Sequence, residues 1–186
     1  CGEFLASDMM KYVDDARVLG LGETMRFVEC YMGERRMSDK LELFAKKHID
    51  GHAPGITGKA VQAYRLAGVE NDHECANSEE VLDKLRAGFH IYIREGSGAK
   101  NLETLIRTLL DANVALDQCA FCTDDKHIEE IRKEGHISTC IRKAIALGVP
   151  VAKAYKMGSY QPAMFYGLKG YGAIGAGYHA DIVFLD

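Results

Sequence analysis

Four side chains able to bind a metal or move a proton stand where short apolar runs of the sequence end. Glu23 follows Val-Leu-Gly-Leu-Gly, His52 stands in Asp-Gly-His-Ala-Pro-Gly, His73 in Asp-His-Glu and Asp124 in Thr-Asp-Asp. Two imidazoles with two carboxylates suit a divalent ion such as zinc, manganese or iron. Water activated by such an ion attacks an amidine-type C–N bond, and Asp124 is the natural group to take its proton and return it to the leaving group.

The elements that must position these residues alternate short β-branched or apolar runs with longer helical patterns, which is typical of parallel βα units. The predicted strands are Arg17 to Leu21, His48 to His52, Gly68 to Asp72, His90 to Arg94 and Cys119 to Thr123. Helices are predicted over Ser38 to Lys47, from an N-cap at Ser78 to Ala87-Gly88, and over Asn101 to Ala112. A glycine-rich turn from Gly170 then leads into a last predicted strand.

The four residues are far apart in sequence, but each stands at or just after the end of a predicted strand, so we expect them to lie close together in the fold. The carboxyl ends of parallel strands lie at one edge of an α/β fold, where active sites are built. Each of the four residues has a structural alternative: a lone histidine near a strand end usually satisfies a hydrogen bond, and Glu23 or Asp124 could simply open or cap a helix. Small residues around His52 and the acidic neighbours of His73 favour the functional interpretation.

Two further patterns have weaker functional interpretations. Arg94-Glu95-Gly96-Ser97 is either a surface turn or a strand-end loop whose Arg94, Glu95 or Ser97 contacts a substrate. Cys119 and Cys122 match the C-x-x-C spacing, but residues three apart on a strand face opposite sides, so a paired metal or redox role is disfavoured.

Composition excludes several classes of protein. The 186 residues carry 23 basic and 27 acidic side chains, a net charge of −4, and no basic stripe, which argues against nucleic-acid binding. The longest apolar runs fall far short of the ~20 residues of a membrane-spanning helix, and no secretory signal is visible. Six cysteines do not suggest a disulfide scaffold. We therefore expect a cytoplasmic protein with reduced thiols.

Five βα units are too few to close an eight-stranded barrel, which usually takes about 250 residues. The sequence therefore predicts an α/β fold of the partial (β/α)8, TIM-type kind, with residues 1–169 in the barrel part. An open doubly wound sheet would satisfy the same pattern. Residues 170–186 are expected to belong to a different layer.

At these residues the sequence resembles the adenine deaminase family of the amidohydrolase superfamily. The motifs are Gly20-Leu-Gly-Glu23, Asp50-Gly-His-Ala-Pro-Gly55, Asp72-His-Glu74, Ile93-Arg-Glu-Gly-Ser97, Phe121-Cys-Thr-Asp-Asp125, Gln161 to Leu168 and Gly172 to Asp186. The resemblance implies a distorted barrel, of which this chain would supply about strands 4 to 8, and a small β-domain that receives the last strand. It also implies hydrolysis of adenine to hypoxanthine and ammonia with Mn²⁺ or Fe²⁺, or with Zn²⁺.

Carried over by motif, the resemblance implies a metal-bridging role for Glu23, metal-ligand roles for His52 and His73, and a metal-bound proton shuttle in Asp124. Glu74 is a candidate for substrate contact or proton transfer. Arg94, Glu95 and Ser97 are candidates for substrate binding.

One departure from the family pattern leaves more than one function open for this chain. The superfamily carries a His-x-His pair on its first barrel strand, and no His-x-His occurs in these residues. The alternatives are a deaminase that obtains those ligands from outside this chain, through a complementary N-terminal fragment, and a non-catalytic fragment that self-associates as a homo-oligomer. A related cyclic amidohydrolase ranks lower, because those enzymes carry a carboxylated lysine where this sequence has Glu23.

Overall fold

A computed structural model of the protein describes residues 3–185, in two compact units. Within the described residues, the first unit ends at Ile91 and the second begins at Tyr92. The elements of the first unit are α1 (Ala6–Met9), β1 (Gly20–Thr24), α2 (Phe27–Met32), α3 (Arg35–Leu43), β2 (His48–Gly51), α4 (Lys59–Leu66), β3 (Asn71–Asp72), α5 (Ser78–Arg86) and the start of β4 (His90–Arg94).

The remaining elements lie in the second unit. They are the rest of β4, α6 (Leu102–Asp111), a 3₁₀ turn (Leu116–Gln118), β5 (Cys119–Cys122), α7 (Ile128–Glu134), α8 (Ile137–Ala146), α9 (Val151–Gly158) and α10 (Tyr160–Phe165). None of the helices within residues 3–185 is long and apolar enough to cross a membrane.

The strands of the first unit run parallel. β1 pairs with β2 at Gly20/His48 and Leu21/Ile49, and β3 pairs with the start of β4 at Asn71/His90. Between β2 and β3, the amide of Glu70 donates to the carbonyl of Ile49 at 3.0 Å. The mixed α/β architecture with parallel strands confirms the α/β class of the prediction.

The contact between β2 and β3 depends on a glycine and an asparagine. The amide of Gly51 donates to the side-chain Oδ1 of Asn71 at 3.2 Å, so that side chain replaces a backbone acceptor. A Cβ on Gly51 would lie 2.2 Å from the carbonyl oxygen of Asn71, which is far inside van der Waals contact. Only glycine therefore allows the two strands to approach at this point.

Each unit has its own apolar core. In the first, the ring of Tyr64 from α4 stacks on Phe89 with centroids 6.0 Å apart, next to the fully buried Val61, Val69 and Ile91. In the second, one face of α6 buries Leu102, Leu105, Ile106 and Leu109. This i, i+3, i+4, i+7 pattern is typical of an amphipathic helix that packs on a sheet.

Several local predictions were wrong in their bounds, among them β3, which covers Asn71–Asp72 rather than Gly68 to Asp72. β1 begins at Gly20 rather than Arg17 and includes Glu23, which was predicted to follow the strand. α3 covers Arg35–Leu43 instead of Ser38 to Lys47, because the chain leaves its extended conformation at Glu34. The N-cap of α5 is Asn77, whose side chain accepts a hydrogen bond from the amide of Glu80 at 3.1 Å, and Ser78 is the first helical residue.

The C-terminal strand predicted after Gly170 does not form within the described residues of this chain. Residues 170–185 form turns, bends and irregular chain, and Asp186 lies outside the described residues. Val183 and Phe184 are 70% and 90% exposed. An extended segment becomes a strand only when a neighbouring strand accepts its backbone hydrogen bonds, and none does so within residues 92–185.

Candidate metal centre

Three of the predicted ligand residues meet in the first unit. His52 Nδ1 lies 3.0 Å from Glu23 Oε2, and His73 Nε2 lies 3.2 Å from the same oxygen. The two imidazole rings stand 5.2 Å apart at 70° to each other. Glu23 therefore presents one oxygen to both histidines.

Glu74 also lies close to both histidines. Its Oε1 lies 3.7 Å from His52 Nδ1 and 3.5 Å from His73 Nε2. Its side chain is 11% exposed, against 47% for Glu23, so Glu74 forms the more buried side of the group. We call Glu23, His52, His73 and Glu74 the ligand cluster.

The donor set fits a divalent metal ion. Candidate ligand atoms of Glu23, His52 and His73 all lie within 4.8 Å of one another. Two donors that are each about 2.1 Å from one ion stand roughly 3 to 4 Å apart, which is the range of the distances between Glu23 and the histidines. Imidazole nitrogen and carboxylate oxygen together suit zinc, manganese and iron.

A strand irregularity places Glu23 in the cluster. The parallel register of β1 and β2 shifts between Leu21 and Thr24, so β1 carries one extra residue opposite β2. Such a bulge turns a side chain away from the alternation of a regular strand. The hydroxyl of Thr24 then donates to the carbonyl of Asp50 at 2.6 Å and holds the end of β1 against β2.

Tyr64 is a residue of the site that sequence reasoning missed. Its buried hydroxyl donates to the carbonyl of Thr24 and accepts from the amide of His52, both at 3.1 Å. One phenol therefore links the residue after Glu23 to His52. In the sequence, Tyr64 is one apolar position of a helix, and nothing distinguishes it from a core aromatic.

Asp72 and Lys84 were missed as well. They form an ion pair of 2.8 Å in which both side chains are completely buried. Asp72 immediately precedes His73, and its Oδ2 accepts from the amide of Ala53, which follows His52. Lys84 had no signal in the sequence, because it occupies an ordinary position near the end of α5.

In the second unit, Asp124 is bound by Arg94. Arg94 Nη1 donates to Asp124 Oδ2 at 2.9 Å, and its guanidinium also contacts Asn101 Oδ1 at 3.2 Å. Asp124 follows β5 with a φ of 46°, a left-handed conformation that aspartate and asparagine adopt more readily than most residues. The side chain of Arg94 is 10% exposed and that of Asp124 28%, so water reaches this contact from the Asp124 side.

The other two candidates from the β4 loop have partners within the second unit. Glu95 is buried, and its Oε1 accepts from Lys143 Nζ at 2.6 Å, a contact that raises the pKa of the Lys143 ammonium. Ser97 donates to Glu130, lowering the pKa of that carboxyl, and accepts from the amide of His127 at 2.9 Å. Both side chains thus also organise the loop itself.

Comparison with known proteins identifies the family to which this chain belongs. The sequence profile of the amidohydrolase family matches residues 33–186. The chain belongs to the amidohydrolase family. Members of this family are hydrolases that generally use a divalent metal, and the ligand cluster offers the groups to bind one.

Individual relatives within the amidohydrolase family extend the likeness over the whole chain. An adenine deaminase of Desulfitobacterium hafniense (strain Y51) is 46% identical over 185 residues, which is 100% of this chain and 32% of that protein. An adenine deaminase of Clostridium acetobutylicum is 42% identical over 183 residues, 97% of this chain and 32% of that protein. The chain thus spans about a third of the length of these relatives.

A solved structure supports the fold of this amidohydrolase chain. The crystal structure of an uncharacterised protein matches with a TM-score of 0.56 and 15% sequence identity, covering 83% of this chain and 41% of the other. At that identity the likeness concerns the fold alone.

Proposed function

We propose that this chain forms part of the active site of a metal-dependent enzyme that hydrolyses adenine to hypoxanthine and ammonia. The observation that carries the proposal is that the imidazoles of His52 and His73 both lie close to one carboxylate oxygen of Glu23. The names of the relatives, adenine deaminase, support the choice of substrate. Purine salvage in the cytoplasm is the corresponding setting.

In this proposal the ligand cluster holds one divalent ion, Mn²⁺ or Fe²⁺ by preference and Zn²⁺ as the alternative. When bound, the ion supplies Lewis-acid activation of water. Glu23, His52 and His73 would hold this ion, and Glu23 would act as the metal-bridging carboxylate if a second ion bound to the ligands that come from outside this chain. Glu74, with contacts to both histidines, is in position to bind a substrate nitrogen or to transfer a proton.

Asp124 is proposed as the proton shuttle and as a further metal ligand. Water adds at C6 of the purine, the C6–N bond breaks, and the amine leaves as ammonia after Asp124 returns the proton that it accepted. Arg94 orients the carboxylate of Asp124 through the 2.9 Å contact. Glu95 and Ser97 are proposed to bind substrate through the loop that follows β4.

The proposed architecture is a partial (β/α)8 barrel of about strands 4 to 8, with residues 1–169 in the barrel and 170–186 leading into a small β-domain. The parallel pairing of β1 with β2 and of β3 with β4 supports it. The remaining metal ligands, the His-x-His pair of the family, would come from outside this chain.

The test measures metal content and ammonia release from a panel of adenine, other aminopurines, cytosine and two cyclic amides. It uses this chain alone and a version extended N-terminally to include the first barrel strands, both purified in Mn²⁺ or Fe²⁺. We expect release from adenine by the extended protein only. No release from adenine by the extended, metal-loaded protein would overturn the proposal, and cleavage of a cyclic amide would identify the related amidohydrolase instead.

A second candidate is a non-catalytic chain that associates with itself or with a complementary N-terminal fragment. The exposed apolar residues of the C-terminal segment favour it: Ile174 is 83% exposed and Phe184 90%. Contiguous apolar surface of this kind usually marks an interface. Sedimentation of the chain alone would show dimers or larger species, which Phe184→Asp should reduce. A monomer with tightly bound stoichiometric metal would contradict this candidate.

A further inference from the structure

One face of α5 is directed at the loop that carries His52. We call residues 52–58 the His52 loop. Lys84 Nζ donates to the carbonyl of Ala53 at 2.7 Å, Glu80 Oε2 accepts from the amide of Gly55 at 3.2 Å, and Asp83 Oδ2 accepts from the amide of Gly58 at 2.9 Å. Positions 80, 83 and 84 are spaced i, i+3, i+4, so they share one helix face. Three side chains of one helix therefore hold three backbone groups of one loop.

Asp72 connects the same helix to the other histidine. Its Oδ1 accepts from Lys84 Nζ and from the amide of Glu74, both at 2.8 Å, and its Oδ2 accepts from the amide of Ala53 at 2.8 Å. The residue after His52 and the residue after His73 are thus bound to one carboxylate. Lys84 donates to both Asp72 and the carbonyl of Ala53, and Asp72 accepts from the amide of Ala53, so the three residues form a closed hydrogen-bonded ring.

The burial of this pair is an argument for positioning. Removing two charges from water is costly, and replacing a buried ion pair with apolar groups of similar volume is often neutral for stability. The side chains of Lys84 and Asp72 are nevertheless 0% exposed, and each binds the backbone next to a histidine. An ion pair that only stabilised the core would not need hydrogen bonds to the backbone of both Ala53 and Glu74, the residues that follow the two histidines.

We infer that Lys84, paired with Asp72 and aided by Glu80 and Asp83, is a positioning residue that sets the separation of His52 and His73 in the ligand cluster. The inference deepens the proposed metal centre and rests on it. Groups that orient ligands from behind typically change metal affinity by about 10- to 100-fold when they are removed.

The test uses the N-terminally extended protein, freed of metal, and Co²⁺ as the probe, because the visible absorption of Co²⁺ reports its coordination geometry. Asp72→Asn/Lys84→Met removes both charges, so that neither is left buried alone. Asp83→Ala releases the Gly58 amide from a side chain that is already 27% exposed, so it should fold even where the double variant does not. Lys153→Met is the control, since it removes a 2.6 Å ion pair with Asp117 in the second unit.

For the double variant we expect Co²⁺ affinity to fall about 10- to 100-fold with an altered absorption spectrum, while its circular dichroism stays that of the wild type. Hydrogen exchange at the Ala53 amide should accelerate in the same variant without metal. Asp83→Ala should weaken Co²⁺ binding less and accelerate exchange at Gly58. Lys153→Met should change neither affinity nor exchange in the His52 loop.

The inference would be overturned if the folded variants kept the Co²⁺ affinity and the Co²⁺ absorption spectrum of the wild type. Lys84 would then have only a structural role. The outcome is separable from that of the proposed function. A wild-type protein that binds Co²⁺ but releases no ammonia from adenine would refute the deaminase while the positioning role could still be confirmed. A wild-type protein that binds no Co²⁺ would overturn both.

Discussion

At the scale of single residues, the candidate site is built from side chains that each satisfy more than one partner. Glu23 Oε2 serves two imidazoles, Asp72 binds Lys84 and two backbone amides, and the hydroxyl of Tyr64 both donates and accepts. Buried polar groups of this kind need all their partners, because one that is left unpaired costs the free energy of its lost hydration. Removing a single atom should therefore have measurable effects.

Asp124→Asn separates the charge of the proposed proton shuttle from its backbone conformation. Asparagine tolerates the left-handed φ of 46° and can still accept from Arg94, so the fold should be kept. Without a carboxylate to carry the proton, ammonia release by the extended protein should fall about 10²- to 10⁴-fold. Asp125→Asn, next in the chain, is the control, and near-normal activity of Asp124→Asn would remove Asp124 from the mechanism.

Tyr64→Phe tests the link between Glu23 and His52. Burial raises the pKa of Tyr64, so the hydroxyl stays protonated and able to donate. Phenylalanine leaves the His52 amide and the Thr24 carbonyl without this partner, and we expect a loss of about 1–3 kcal/mol in the free energy of unfolding. Denaturant titration measures it, with the half-exposed Tyr12→Phe as a control. Equal midpoints for the two variants would contradict the linking role.

At the scale of elements, α5 combines a well-defined start with a polar inner face. The side chain of Asn77 caps it by accepting from the Glu80 amide and also donates to Glu80, which binds the His52 loop. Glu79 and Glu80 in the first turn and Lys84 and Arg86 in the last complement the helix dipole. The cap therefore stabilises the first turn of the helix, from which Glu80 contacts the His52 loop.

Asn77→Ala should cost about 1 kcal/mol of unfolding free energy, because the Glu80 amide loses its acceptor. Ser78→Ala, at the position predicted as the cap from sequence, should cost less, since the serine is already inside the helix. Thermal unfolding followed by circular dichroism compares the two. A larger loss for Ser78→Ala would show that the cap lies one residue later.

At the scale of the whole molecule, the described thiols behave as apolar core groups. Cys30, Cys75, Cys119, Cys122 and Cys140 are all free, and burial raises the pKa of each thiol to about 11 or 12. Cys119 and Cys122 therefore do not form the reactive pair that their spacing could suggest. A thiol kept protonated is a poor nucleophile and a poor metal ligand.

These thiols predict how stability changes with pH. Because their pKa is higher in the folded than in the unfolded protein, where it is about 9, the folded state holds the protons more tightly. The stability that they contribute is fully present below pH 9 and is lost between about pH 9 and 12, by up to about 1.4 kcal/mol per pH unit for each thiol. Denaturant titrations at pH 7.5, 9 and 10 should show the decline.

Alkylation supplies the matching chemical measurement. At pH 8, iodoacetamide followed by peptide mapping should leave these five cysteines unmodified in the folded protein and modify them all in guanidinium. Rapid labelling of Cys119 or Cys122 in the folded protein would contradict their burial.

The amino-acid sequence by itself determined the elements whose signals are local. Periodicity, caps and glycines predicted β4 at its observed bounds, α6 within one residue at each end, and the end of α5, whose C-cap is Ala87. Strand ends also indicated Glu23, His52 and His73 as one group, because parallel strands bring their carboxyl ends to one edge. These inferences needed only the residues adjacent in sequence and the general geometry of parallel strands.

Tertiary structure alone decided the features that depend on partners far along the chain. The bulge that places Glu23 arises from the register with β2, and the ion pair of Lys84 with Asp72 forms only where α5 packs against the His52 loop. The apolar residues near the C-terminus read as a strand, yet residues 170–185 form none, because no strand of the second unit pairs with them. Backbone hydrogen bonds between strands and the burial of charges are both non-local, so no pattern within a short window of sequence can determine them.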